Sequence, residues 1–98
     1  MKNLLTINIS QEVIDQMIEI NDLATVENLD ANYEEVYKII QFLKKIGIQK
    51  IDELLIFYPG LFMIDLKIFI DKIKNTNAEE LIRKTNEDIS FFAEMMYS

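Results

Sequence analysis

The 98-residue chain is half hydrophobic but has only two glycines and one proline, which leaves room for one core and too few turn residues for many short strands. Cysteine and histidine are both absent, so disulfides, thiolate metal sites, cysteine nucleophiles and the commonest general base are excluded. The net charge of −7 sits in the N-terminal third: residues 1–37 hold eight acids against Lys2 alone, while residues 38–98 balance nine basic side chains with nine acidic ones.

Ser10 is placed to cap a first helix over 11–21, with Glu12 in its first turn and Val13, Ile14, Met17 and Ile18 at helical spacing. Residues 22–32 read as a connection around Leu23, Val26 and Leu29, with room for a short helical turn. Asn32 and Glu35 then have the spacing of a capping box, opening a helix to about Lys45 with Tyr33, Val36, Tyr37, Ile40 and Leu43 inward. Gly47 is suited to the left-handed conformation that closes a helix. A third helix is expected from Ile48 to Phe57, with Ile51, Leu54 and Leu55 inward, stopped by Tyr58-Pro59.

Asp65 is the expected cap of a fourth helix, whose face is Leu66, Phe69, Ile70 and Ile73. Asn77 and Glu80 repeat the capping-box pattern ahead of a short fifth helix through Leu81, Ile82 and Arg83. Thr85 or Asn86 is expected to cap the last helix, with Ile89, Phe92, Ala93 and Met96 on one face. The most apolar stretch, Leu54 to Ile70, is interrupted by Pro59, Gly60, Asp65 and Lys67 and falls short of the ~20 apolar residues of a membrane span. The start of the chain lacks the pattern of a signal or transit peptide, so a cytoplasmic location is expected.

Shifting the sequence by 27 residues places Leu54-Leu55 on Leu81-Ile82, Ile51 on Ala78 and Pro59 on Asn86. Ile9-Ser10, Val13, Met17 and Ile20-Asn21 suggest a further copy upstream. Alternating helices at such a period are how helical repeats stack. Leu43, Gly47, Ile51, Leu54, Leu55, Pro59 and Leu61, within residues 42–62, stand in an order that resembles one repeat of the mitochondrial transcription termination factor (mTERF) family. That resemblance implies a short right-handed stack of helical pairs and a surface for duplex nucleic acid. The expectation is therefore a single all-α domain over 1–98: five to six helices, a small bundle or short stack, with an acidic helix at 11–21 and paired units at about 32–59 and 65–97.

No catalytic, metal or cofactor signature accompanies this architecture. The carboxylate pairs Asp52/Glu53, Glu79/Glu80 and Glu87/Asp88 are sequence neighbours, which point about 100° apart on a helix and do not converge. Ser10 and Ser90 have no histidine to activate them. The expectation is a non-catalytic interaction module that binds another protein or itself. Phe57, Tyr58, Leu61, Phe62 and Met63 would supply apolar anchors, and Glu12, Asp15, Glu19 and Asp22 would select a basic partner. The competing reading of the apolar residues is core.

Nucleic-acid binding, which the resemblance implies, would draw on Lys38, Lys44, Lys45, Lys50, Lys67, Lys72, Lys74, Arg83 and Lys84, but each basic cluster has acids beside it and Arg83 is the one arginine. A third reading is an acidic mimic of DNA that occupies a nucleic-acid-binding protein.

Overall fold

Side-chain caps define most of the helix starts. In the computed structural model, which describes residues 1–98, Ser10, Asp22, Asp65, Asn77 and Asp88 each accept a hydrogen bond from a backbone N–H in the turn that follows. Those are donors that a helix N-terminus leaves open. The helices they begin are α2 (Gln11–Ile20), α3 (Leu23–Ala31), α6 (Leu66–Lys74), α7 (Ala78–Glu87) and α8 (Ile89–Tyr97). Three more, α1 (Lys2–Thr6), α4 (Tyr33–Ile46) and α5 (Ile51–Phe57), start without a side-chain bond from their own N-cap residue, and a 3-10 helix spans Pro59–Met63. The fold is all-α.

Eight α-helices replace the expected five or six, because short segments gain from packing what they lack in intrinsic stability. Residues 22–32 are not a connection but hold α3: Asp22 caps it, and Val26 and Leu29, three apart, are fully buried. Asn32 does not form the capping box with Glu35. It closes α3 instead, and its side-chain amide donates to the Asn28 carbonyl at 2.8 Å. On α4 the buried arc is Val36, Ile39, Ile40 and Leu43, while Tyr37 is exposed. α4 packs against α5, α6 and the 3-10 helix, and these neighbours set the arc.

The α4 to α5 junction is a Schellman turn. Gly47 adopts φ 103°, its N–H reaches the Lys44 carbonyl, and the Ile48 N–H reaches the Leu43 carbonyl at 3.0 Å. Leu43 and Ile48 are both buried, as the motif requires. The next amide, Gln49 N–H, donates to Asn86 Oδ1 at 2.8 Å, and Asn86 Nδ2 donates to the Gly47 carbonyl at 3.2 Å. With these groups already engaged, α5 begins at Ile51 rather than Ile48.

Asn86 is thus a clasp within α7, not a cap. Thr85 is buried inside the same helix, which continues to Glu87 until Asp88 caps α8.

A second turn of the same kind closes α1. Asn8 takes φ 69°, its N–H reaches Leu5, and the Ile9 N–H reaches the Leu4 carbonyl at 3.1 Å. Leu4-x-x-Ile7-Asn8-Ile9 and Leu43-x-x-Ile46-Gly47-Ile48 are therefore one motif used twice, with asparagine tolerating the left-handed position that glycine fills elsewhere. The helices that follow the two turns, α2 and α5, pack against each other.

Twenty-four apolar residues form one core cluster. Phe69, fully buried, is edge-on to Phe42 at 6.1 Å between ring centroids and tilted against Phe92 at 5.8 Å, so α4, α6 and α8 meet on one aromatic side chain. The radius of gyration, 12.8 Å, is that of a closed globule of this length, about 13 Å.

Candidate functional site

Asn21, just past the end of α2, links two segments that carry exposed apolar residues. Its side-chain amide donates to the Met17 carbonyl at 3.0 Å and to the Ile56 carbonyl at 2.8 Å, tying the end of α2 to the end of α5. Ile20 precedes Asn21, Leu23 opens the next helix, and Phe57 follows Ile56. These three side chains remain 53%, 52% and 51% exposed.

The 3-10 helix begins two residues after Phe57, packs against α3, α4 and α5, and ends on Met63, 44% exposed. Tyr97, at the end of α8 and 60% exposed, brings its hydroxyl over Gly60, where an added Cβ would meet Tyr97 Oη at 3.0 Å. Partial burial pushes the Tyr97 phenol above its ordinary range. The Asn21–Ile56 bond thus brings the segment of Ile20 and Leu23 to that of Phe57, and the contact of Tyr97 with Gly60 sets the end of α8 against the 3-10 helix that Met63 closes; Leu5, Tyr37 and Ile68 are the other exposed large apolar residues.

The anchors expected from the sequence divide between the surface and the core. Phe57 and Met63 are exposed and Tyr58 is half-buried, whereas Leu61 and Phe62 are fully buried. Leu61 and Phe62 therefore hold the 3-10 helix down and offer no surface to a partner. The inward turn of that helix follows from Pro59, which fixes φ at its first position and aims the next apolar pair at the core. Ile20, Leu23 and Tyr97 belong to the site through tertiary contact, and the sequence reading had no signal for grouping them.

All four expected acidic residues are exposed. Asp22 is committed to structure: its carboxylate accepts the Thr25 N–H at 2.7 Å, and hydrogen bonding from Thr25 holds its pKa below the usual value. Glu12, Asp15 and Glu19 lie on the side of α2 opposite its buried Val13, Ile14 and Met17. Their one internal polar contact is the Gln11 amide on Asp15 at 2.9 Å. The ion pairs of the protein lie elsewhere, as Lys38–Glu35, Arg83–Glu87 and Lys84–Glu80. Lys84 also holds Glu80 below its ordinary pKa and stands 4.9 Å over the Phe91 ring.

Two concave features flank these elements. A cleft of about 250 Å³ lies between the two Schellman turns and the first turn of α5, with an isoleucine floor and a mixed rim of Lys44, Asp52 and Glu53. A groove of about 620 Å³ between α1 and α3 is lined by Met1 and Asn3 on one side and by Leu23, Glu27, Asp30 and Ala31 of α3 on the other. Asp30 there caps α1, its Oδ1 accepting the Leu4 N–H at 3.0 Å. Neither feature brings a nucleophile and a base together. No helix is long and apolar enough to cross a membrane.

Comparison with models of known protein families, with curated proteins and with solved structures finds no match to the chain.

Proposed function

We propose that the chain is a non-catalytic interaction module that engages another protein through the apolar end formed by Ile20, Leu23, Phe57, Met63 and Tyr97. The observation that carries this reading is the Asn21–Ile56 hydrogen bond, which joins the two segments that carry the half-exposed Ile20, Leu23 and Phe57. Large apolar side chains grouped at a surface lose free energy to water unless a partner covers them, and aromatic and methionine side chains are common at interface centres.

A second copy is the weaker candidate partner. A two-fold dimer through this patch would bring the acids beside it, Glu19 and Asp22, from both chains to one interface, and each copy already carries −7.

The structure gives less support to the nucleic-acid surface that the mTERF resemblance implies. Lys38, Arg83 and Lys84 are engaged with carboxylates, and Lys72 Nζ donates to the Met96 and Ser98 carbonyls at 2.7 and 2.9 Å, which leaves fewer free cations for phosphates.

Site-specific photocrosslinking tests the proposal. A photoreactive residue at Phe57 or Met63 is expected to give discrete protein adducts in an extract of the source organism, while the same group at Glu94, exposed on α8, gives none. Absence of adducts at both apolar positions would refute it. So would a shift onto mixed-sequence duplex DNA in size-exclusion chromatography that is lost as salt rises.

A further inference from the structure

The apolar end adjoins a helix whose outward face is acidic, and the two together specify what covers them. We infer that the partner contributes a cationic amphipathic helix, its Lys or Arg side chains laid along α2 and its apolar residues seated on Ile20, Leu23 and Phe57. This inference rests on the interaction reading above.

The geometry comes from the spacing of α2. Glu12, Asp15 and Glu19 fall within an arc of about 60° and rise over about 10 Å, so they form a straight stripe centred opposite the buried face. The stripe ends at Glu19, beside Ile20, one of the exposed residues of the apolar end.

No basic residue occurs between Lys2 and Lys38, and none of the three ion pairs reaches α2, so the stripe has no cation of its own. Cations repeating every three to four residues on a second helix match this spacing, and apolar residues one turn beyond them reach the apolar end. The exposed ion pairs would add little individually. Their role is to select and orient a partner that the apolar contact holds.

The test uses helical peptides about 18 residues long, long enough to approach stable helicity alone. One carries Lys at three- and four-residue spacing beside a Leu face, a second has Glu in place of each Lys, and a third keeps Lys but has Gln in place of Leu. Fluorescence anisotropy at low and physiological salt reads binding to the full chain. The Lys/Leu peptide is expected to bind and the other two to fail.

The triple variant Glu12→Gln, Asp15→Asn, Glu19→Gln is expected to weaken binding about tenfold, the combined effect of several exposed pairs. A control triple, Glu34→Gln, Glu79→Gln, Glu94→Gln, removes the same charge from exposed positions elsewhere and is expected to change binding less than about twofold. Equal losses in the two triples would reduce the effect to bulk charge and overturn the inference. So would failure of the Lys/Leu peptide while crosslinks at Phe57 persist, an outcome that leaves the interaction reading intact. Binding that ignores Phe57→Ser yet responds to the stripe triple would overturn both.

Discussion

Thr85 provides a prediction whose sign is fixed by the structure. Its side chain is fully buried within α7, and its hydroxyl is the one buried side-chain polar atom without a hydrogen-bond partner. A threonine inside a helix commonly bonds the carbonyl four residues back, here that of Leu81, but no such bond forms. Leaving a buried hydroxyl unpaired costs about 1–3 kcal/mol. Thr85→Val replaces that oxygen with a methyl of similar size, and valine and threonine have nearly the same helix propensity.

The variant is therefore expected to be about 1 kcal/mol more stable than the natural sequence, raising the thermal midpoint by about 4–8 °C for a domain of this size. Thr85→Ser keeps the unpaired hydroxyl and loses the methyl, so it is expected to be about 1 kcal/mol less stable. Urea unfolding followed by circular dichroism orders the three proteins, with an unchanged slope showing that the same surface is exposed in each. If valine failed to stabilise while serine was neutral, the hydroxyl would have a partner and the packing of α7 would be misread.

Two further outcomes test the turns and caps. Gly47→Ala is expected to lose about 1–2 kcal/mol in the same urea assay. The cause is backbone strain at φ 103° alone, since an added Cβ meets nothing closer than Ile82 Cγ2 at 3.7 Å, so a neutral result would contradict the Schellman geometry. Hydrogen bonds from Thr25 to Asp22 and from Ser90 to Asp88 hold both carboxyls below their ordinary 3.8, so their stabilisation is present above that value and is lost as pH falls through the depressed values. Asp22→Asn/Asp88→Asn keeps neutral caps, and the gap between natural and variant thermal midpoints is expected to hold above 3.8 and to narrow as pH falls below it. Parallel curves would mean that neither cap is charge-assisted.

Local signals in the sequence were sufficient for an all-α chain, for the starts of α2, α6 and α7 at Ser10, Asp65 and Asn77, and for the stop at Gly47. Each depends on a residue acting within a few positions of itself, through a capping side chain or, at Gly47, through the lack of one, so the chain states it directly. α3 was not legible, because its apolar residues are spread around the helix and it is held by α1, α2 and the 3-10 helix rather than by an amphipathic stripe. The turn at Asn8 has the same spacing as the one at Gly47, but asparagine marks the left-handed position less strongly than glycine does.

The acidic face of α2 was legible because three carboxylates on one helix share a face by spacing alone. The apolar end was legible only in part. Phe57 and Met63 lie in the apolar stretch that the sequence displays, but that stretch also contains Leu61 and Phe62, which the 3-10 helix turns into the core. Ile20, Leu23 and Tyr97 join them through the Asn21–Ile56 bond and the contact of Tyr97 with Gly60, between residues 35 and 37 positions apart. Which side of an apolar residue faces water is set by its neighbours in space, and the sequence names only its neighbours along the chain.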